Sequence, residues 1–126
     1  MTCTLCERLV VAFELHTRPV PKGRPRFGNG RTYTPARTVA YETAVNLACR
    51  NAMHGRAPHD GDVALVALFE QRDAKASDVD NLAKALLDGI EGVAFTNDRQ
   101  VMEIRARRVI RADVDRVSVA VLAVAS

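Results

Sequence analysis

The 126-residue sequence contains little that would anchor it in a membrane, staple it or tie it to a nucleotide. No apolar run approaches the roughly 20 residues that a bilayer-crossing helix needs. The earliest, LVVAF at residues 9–13, is flanked by Glu7 and Glu14 and lacks the small-residue cleavage site of a secretory leader. Cysteine is scarce and odd in number. Cys3, Cys6 and Cys49 cannot close a disulfide framework, and without a leader they predict a reducing, cytoplasmic setting with no membrane partner. Cys3-x-x-Cys6 has the spacing of half a zinc site and no second pair to complete it. His16, His54 and His59 show no ligand-like spacing and read as surface or loop residues. Gly23, Gly28 and Gly30 lack the strand-to-helix setting and the Lys-Ser/Thr ending of a phosphate cradle, which argues against a nucleotide cofactor. Repeats and linkers are missing too, so residues 1–126 read as a single domain, able to bury a little under about 70% of its unfolded surface.

Lysine is the other scarcity: fifteen of the eighteen basic residues are arginine, in a chain of net charge +3. The guanidinium is the planar fork that grips phosphate with two hydrogen bonds. That small net charge hides an asymmetry. Residues 1–59 carry nine Lys/Arg against three Glu, whereas residues 60–98 carry nine Asp/Glu against Arg72, Lys75 and Lys84. An arginine-rich body with one acidic segment suggests a polyanion held near a metal site; a genomic bias toward arginine would leave the same surplus.

Periodicity predicts a first strand at residues 8–16. Residues 17–34 hold three of the five prolines and three of the seven glycines, and read as a basic loop without helix or sheet ladder, carrying Arg18, Lys22, Arg24, Arg26 and Arg31 with Phe27 and Tyr33 between them. Thr34-Pro35 signals a helix start, with a stripe of Ala40, Ala44, Leu47 and Ala48, widened by Val45 and Ala52, defining a helix at about 35–54. The near-continuous apolar run at 62–70 predicts a central strand buried on both faces. Ser77 and Asp80 mimic a capping box. From there Leu82, Leu86 and Ile90 carry a second helix to about Asp88, where Gly89 and Gly92 end it. Strands at 100–110 and 116–125 follow, joined through residues 112–115 as a hairpin. The predicted class is α+β: a single mixed sheet with two helices packed on it, in the order β-α-β-α-β-β, with right-handed crossovers in the two early passes if their strands are parallel neighbours.

The segment that carries chemistry is Asp78-Val79-Asp80-Asn81-Leu82-Ala83-Lys84-Ala85-Leu86-Leu87-Asp88, followed by Asn97-Asp98. Residues four apart on a helix share a side, so Asp80, Lys84 and Asp88 form a stripe apart from the leucine face, with Asp78 just ahead of it. Two carboxylates so close repel, and a third arriving from Asp98 would need a cation among them. A donor set of aspartates without Cys or His favours Mg²⁺, with Mn²⁺ as a substitute, over zinc. Lys84 would add positive charge beside an attacked phosphate or orient the water. Asp78 and Asp80 would equally serve as ordinary helix-start acids, with Lys84 an i,i+4 partner and Asp98 a turn residue.

The string D-V-D-N-L-x-K-x-x-x-D, then N-D-x-x-V, resembles the motif of the RusA-type Holliday-junction resolvases. Pro21-Lys22-Gly23-Arg24-Pro25-Arg26-Phe27, with Gly30-Arg31-Thr32-Tyr33-Thr34-Pro35 after it, is similar to the opening of many phage-borne members. The resemblance implies a RusA-like fold and a homodimeric, Mg²⁺-dependent endodeoxyribonuclease that nicks four-way DNA junctions symmetrically, leaving 5′-phosphates, in recombination and repair. By motif, Asp78, Asp80 and Asp98 take the places of the family's metal-holding aspartates and Lys84 that of its lysine. Asp88 matches a further family acid, and Asn97 stands where some members have another. Two cuts on opposed strands from one acidic site per chain require a two-fold partner.

Lys22, Arg24, Arg26 and Arg31 in the loop, and Arg105, Arg107, Arg108 and Arg111 along the late strand, are the candidates for phosphate contact. Alternation puts Arg105 and Arg107 on one strand face and Arg108 on the other. Two other readings compete: a catalytically silent branched-DNA-binding protein of the same fold, and a general structure-selective nuclease acting on flaps or single strands.

Overall fold

The computed structural model describes residues 7–22, 26–28, 31–33, 36–75 and 77–125, with the side chains of residues 8–22, 36–75 and 77–125. Cys3, Cys6, Thr34, Pro35 and Arg24 lie outside the described residues, as do the side chains of Arg26 and Arg31. The elements run β1 (Glu7–Leu15), β2 (Arg26–Gly28), β3 (Arg31–Tyr33), α1 (Ala36–Met53), β4 (Val63–Glu70), α2 (Val79–Ile90), a 3₁₀ turn (Asp98–Gln100), β5 (Val101–Val109) and β6 (Arg116–Val124). The main sheet is mixed, in the order β1-β6-β4-β5, with both helices on one side.

Every major element forms where periodicity placed it, within a residue or two. The connections are less obvious. β5 and β6 are not a hairpin: β6 lies antiparallel between β1 and β4, and β5 pairs parallel on the far side of β4. The residues between β5 and β6 therefore cross the end of β4 instead of making a tight turn. The same insertion separates β1 from β4, so only the pass β4-α2-β5 joins parallel neighbours. A run such as VALVALFE suits the sheet's middle, but does not say which strands will flank it.

Strand β4 buries Val63, Leu65, Ala67 and Phe69 under the helices, while Val66 and Leu68 on its other face stay partly open. The expectation of a strand covered on both faces fails because both helices choose the same side. The 17–34 loop also departs from expectation: β2 and β3 pair antiparallel as a short hairpin, Arg26 opposite Tyr33.

Helix α1 packs through Tyr41, Val45, Cys49 and Met53. The predicted stripe was turned, since Ala40 and Ala44 are exposed and Leu47 is 56% exposed. Alanine is small enough for either side of a helix, so the larger i,i+4 set decides which face is buried. Burial pushes the Cys49 thiol up to about 11, leaving it an inert core residue.

Helix α2 inserts Leu82, Leu86 and Ile90, all fully buried, each worth roughly 1.5–3 kcal/mol of burial. Its cap is Asp78, not Ser77. Gly89 does not stop the helix. It lies against α1, where an added Cβ would sit 2.7 Å from Val45 Cγ1 and 2.9 Å from Val45 Cβ. The Asn46 amide donates to the Gly89 carbonyl at 3.0 Å, closing the same contact.

Candidate active site

Strand β4 delivers the chain to the head of α2. Asp78 is its N-cap, in extended backbone (φ −72°, ψ 132°), and its carbonyl accepts the Leu82 N–H at 3.1 Å. The Asp78 side chain makes no capping hydrogen bond and is exposed. Asp80 follows in the first turn, also exposed. Both carboxylates thus stand at the positive end of the helix, which favours them electrostatically. Asp80 and Lys84 line a groove of about 360 Å³ between α2 and β5, floored by Val79, Ala83, Leu87, Ile104 and Ala106. The ordinary-helix alternative pairs Lys84 with Asp80, but no such ion pair forms among the described residues, and both side chains are exposed to solvent. The Arg108 guanidinium donates to the Ser77 carbonyl, which ties β5 to the residue just before the helix cap.

Asp98 is elsewhere. It opens the 3₁₀ turn, held by a capping box in which the Asn97 side chain accepts the Arg99 N–H and Gln100 reaches back to the Asn97 N–H. Its own backbone N–H donates to Glu91 Oε2 at 3.0 Å. Burial, then the neighbouring carboxylates of Glu91 and Asp88, holds the Asp98 carboxyl above its ordinary range.

These two places are the opposite ends of α2. Because β4 and β5 are parallel, the helix must run back along the sheet before β5 can start. The ten residues from Asp80 to Ile90 advance about 15 Å at 1.5 Å each. The expected trio of Asp78, Asp80 and Asp98 therefore does not gather within one chain. Among the described residues, no three His, Cys, Asp or Glu side chains are placed to hold a metal ion. The all-carboxylate donor set has the chemistry for a hard cation, but its placement in a single chain does not close around one.

The cationic candidates divide in the same way. Lys22 forms ion pairs with Glu42 and Asp88, each at 2.8 Å, which raise its pKa, Asp88 contributing most. Arg105 and Arg107 lie on the sheet face away from α2, around an open concavity of about 730 Å³ floored by Ala12, Val66, Leu68 and Ala120. Arg108 is the strand arginine on the acidic side. Glu91 was missed in the sequence, and its signal was there: Asp88 and Glu91 are acids at a helix C-terminus, where the dipole disfavours them.

Residues 16–122 match the family described as endodeoxyribonuclease RusA, a span that takes in both ends of α2 and every candidate site residue named above. The chain belongs to the RusA endodeoxyribonuclease family. No curated protein matches it. As a member of that family the chain is related to DNA hydrolases acting on branched DNA, and the D-x-D pair, the lysine and the late aspartate of this RusA-family chain all fall within the matched span. No helix among the described residues is long and apolar enough to cross a membrane.

Proposed function

We propose that this protein is a Mg²⁺-dependent endodeoxyribonuclease that resolves four-way DNA junctions by paired nicks, working as a homodimer. The observation that carries the reading is the open groove at the head of α2, lined by Asp80 and Lys84 with Asp78 at the helix cap, inside the family-matched span. A phosphate entering that groove would meet the Lys84 ammonium, which would orient it and compensate its charge, while the two carboxylates repel it unless neutralised. A hard divalent cation, Mg²⁺ or Mn²⁺, would supply that neutralisation and an activated water.

The separation of Asp98 supports the homodimer. β5 is an edge strand whose Met102 and Ile104 are 56% and 49% exposed, and an edge is a template for pairing with a second chain. Antiparallel pairing of two β5 strands about a two-fold near Arg105 would set Glu103 opposite Arg107 of the second copy, a favourable cross-strand pair. The two α2 helices would then run side by side in opposite directions. The Asp78 end of each would approach the Asp98 end of the other.

The test is a labelled four-way junction with Mg²⁺. Paired nicks are expected, faster than cuts in flaps or single strands of equal length; intact arms in both Mg²⁺ and Mn²⁺ would reject the reading in favour of the silent binder. Mixing Asp80→Asn with Asp98→Asn chains sharpens it. If each site draws on both chains, half of the dimers regain one intact site, giving single nicks at about a quarter of the wild-type site number. A mixture as dead as its parents would overturn the shared site.

A further inference from the structure

The sequence offers Lys22 as a phosphate contact, but its ammonium is already committed. It donates to Glu42 Oε2 on α1 at 2.8 Å and lies 2.8 Å from Asp88 Oδ2 on α2, while its backbone N–H donates to the Asn81 carbonyl in the first turn of α2 at 3.0 Å. A single residue thus touches α1 once and α2 at two levels. The chain leading to it is fixed as well: Arg18 pairs with Asp73 at 2.7 Å, Pro19 is fully buried, and Val20 packs against the core. The hairpin β2–β3 begins only four residues beyond Lys22.

We propose that Lys22 is a positioning residue: it staples the start of the basic segment to both helices and so fixes where the backbone of the β2–β3 hairpin stands relative to Asp80 and Lys84. The inference rests on the nuclease reading for its purpose, but not for its geometry. A three-point attachment whose side chain is about one-fifth exposed is poorly disposed to leave its carboxylates for a phosphate, because doing so would strand Glu42 and Asp88 beside each other's charge.

Two measurements decide it. The first is amide hydrogen exchange in the DNA-free protein. Lys22→Met should speed exchange in residues 26–28 and 31–33 by about ten-fold, leave β4 and β6 protected, and be rescued in part by Lys22→Arg. The second is junction binding in Ca²⁺ across a salt series. Glu42→Gln removes a negative charge near the DNA path, so plain electrostatics predicts tighter binding. The staple predicts weaker binding, and a Lys22→Met/Glu42→Gln double variant no worse than Lys22→Met alone. Unchanged hairpin exchange in Lys22→Met, combined with a loss of about 0.9 in the salt slope, would make Lys22 a phosphate contact and overturn the proposal. Tighter binding by Glu42→Gln would overturn it too. If the wild-type protein cuts no junction, the nuclease reading falls, while the exchange measurement still decides the staple.

Discussion

The two ends of α2 carry acids for opposite reasons. At its head, Asp78 and Asp80 sit where the helix dipole welcomes negative charge, worth about 0.3–1 kcal/mol each at an exposed position. They need no protein cation: among the described residues Lys84 forms no ion pair with Asp80, and Arg108 is turned to the Ser77 carbonyl. At its foot, Asp88, Glu91 and Asp98 sit where the dipole resists them. There Lys22 is recruited to Asp88, and Asp98 spends its backbone N–H on Glu91. Acids that stabilise their helix are ordinary. Acids kept at the unfavourable end, beside one another, point to a purpose other than stability, and the head and the foot are the two places to which the motif resemblance assigns metal-holding aspartates.

The comparison breaks most visibly in catalysis. Asp80→Asn at the head should lower junction cleavage well beyond the roughly 100-fold that even a residue behind a metal ligand can cost, with DNA binding kept or strengthened because a negative charge has gone. Asp88→Asn at the foot should act differently, weakening binding through the freed Lys22 while single-turnover cleavage at saturation changes far less. Single-turnover rates beside equilibrium binding check both. Equal losses in both variants would erase the distinction between Asp80 as a chemical residue and Asp88 as a structural one.

Between the ends, Gly89 tests how rigidly the foot is held. Gly89→Ala replaces a poor helix former with the best, a gain of up to about 1 kcal/mol, but its methyl must enter space already filled by Val45. Overpacking of that kind costs about 1–3 kcal/mol, so the net effect should be destabilising, read as a lower urea midpoint at unchanged slope. A more stable variant would mean that α1 and α2 can slide apart at this point without loss.

How far this was legible in the sequence follows the same division. The strands and helices were readable because their apolar periods are strong, and the head of α2 because Asp-x-Asp and Lys84 lie within two helical turns. The position of Asp98 was not readable. Spacing along the chain says that residues 78 and 98 are twenty apart; only the parallel pairing of β4 with β5 says that those twenty residues run down the helix and stop at its far end. The hairpin β2–β3 was hidden because proline and glycine mask three-residue strands, and the order of β5 and β6 because nothing local in either strand tells which side of β4 it will take. Lys22 looked like its arginine neighbours; its partners, Glu42 and Asp88, are distant in sequence and belong to different helices.

The smallest effect concerns the Asp98 carboxyl itself. Because its pKa in the fold lies above the ordinary carboxylate value, the folded state favours the protonated form. The contribution to stability is therefore present at pH below the ordinary carboxylate range and is lost as pH rises through the folded value. Glu91→Gln should lower the Asp98 pKa, read by carbon NMR titration, and remove part of that loss. Asp98→Asn should remove it entirely and raise Tm at neutral pH by about a degree, since solvent screens so exposed a group. Asp80→Asn, at the end where the dipole favours an acid, should shift Tm slightly downward instead. The two changes remove the same charge at opposite ends of α2, so opposite signs would come from position alone, and equal signs would mean that the asymmetry between head and foot is not electrostatic.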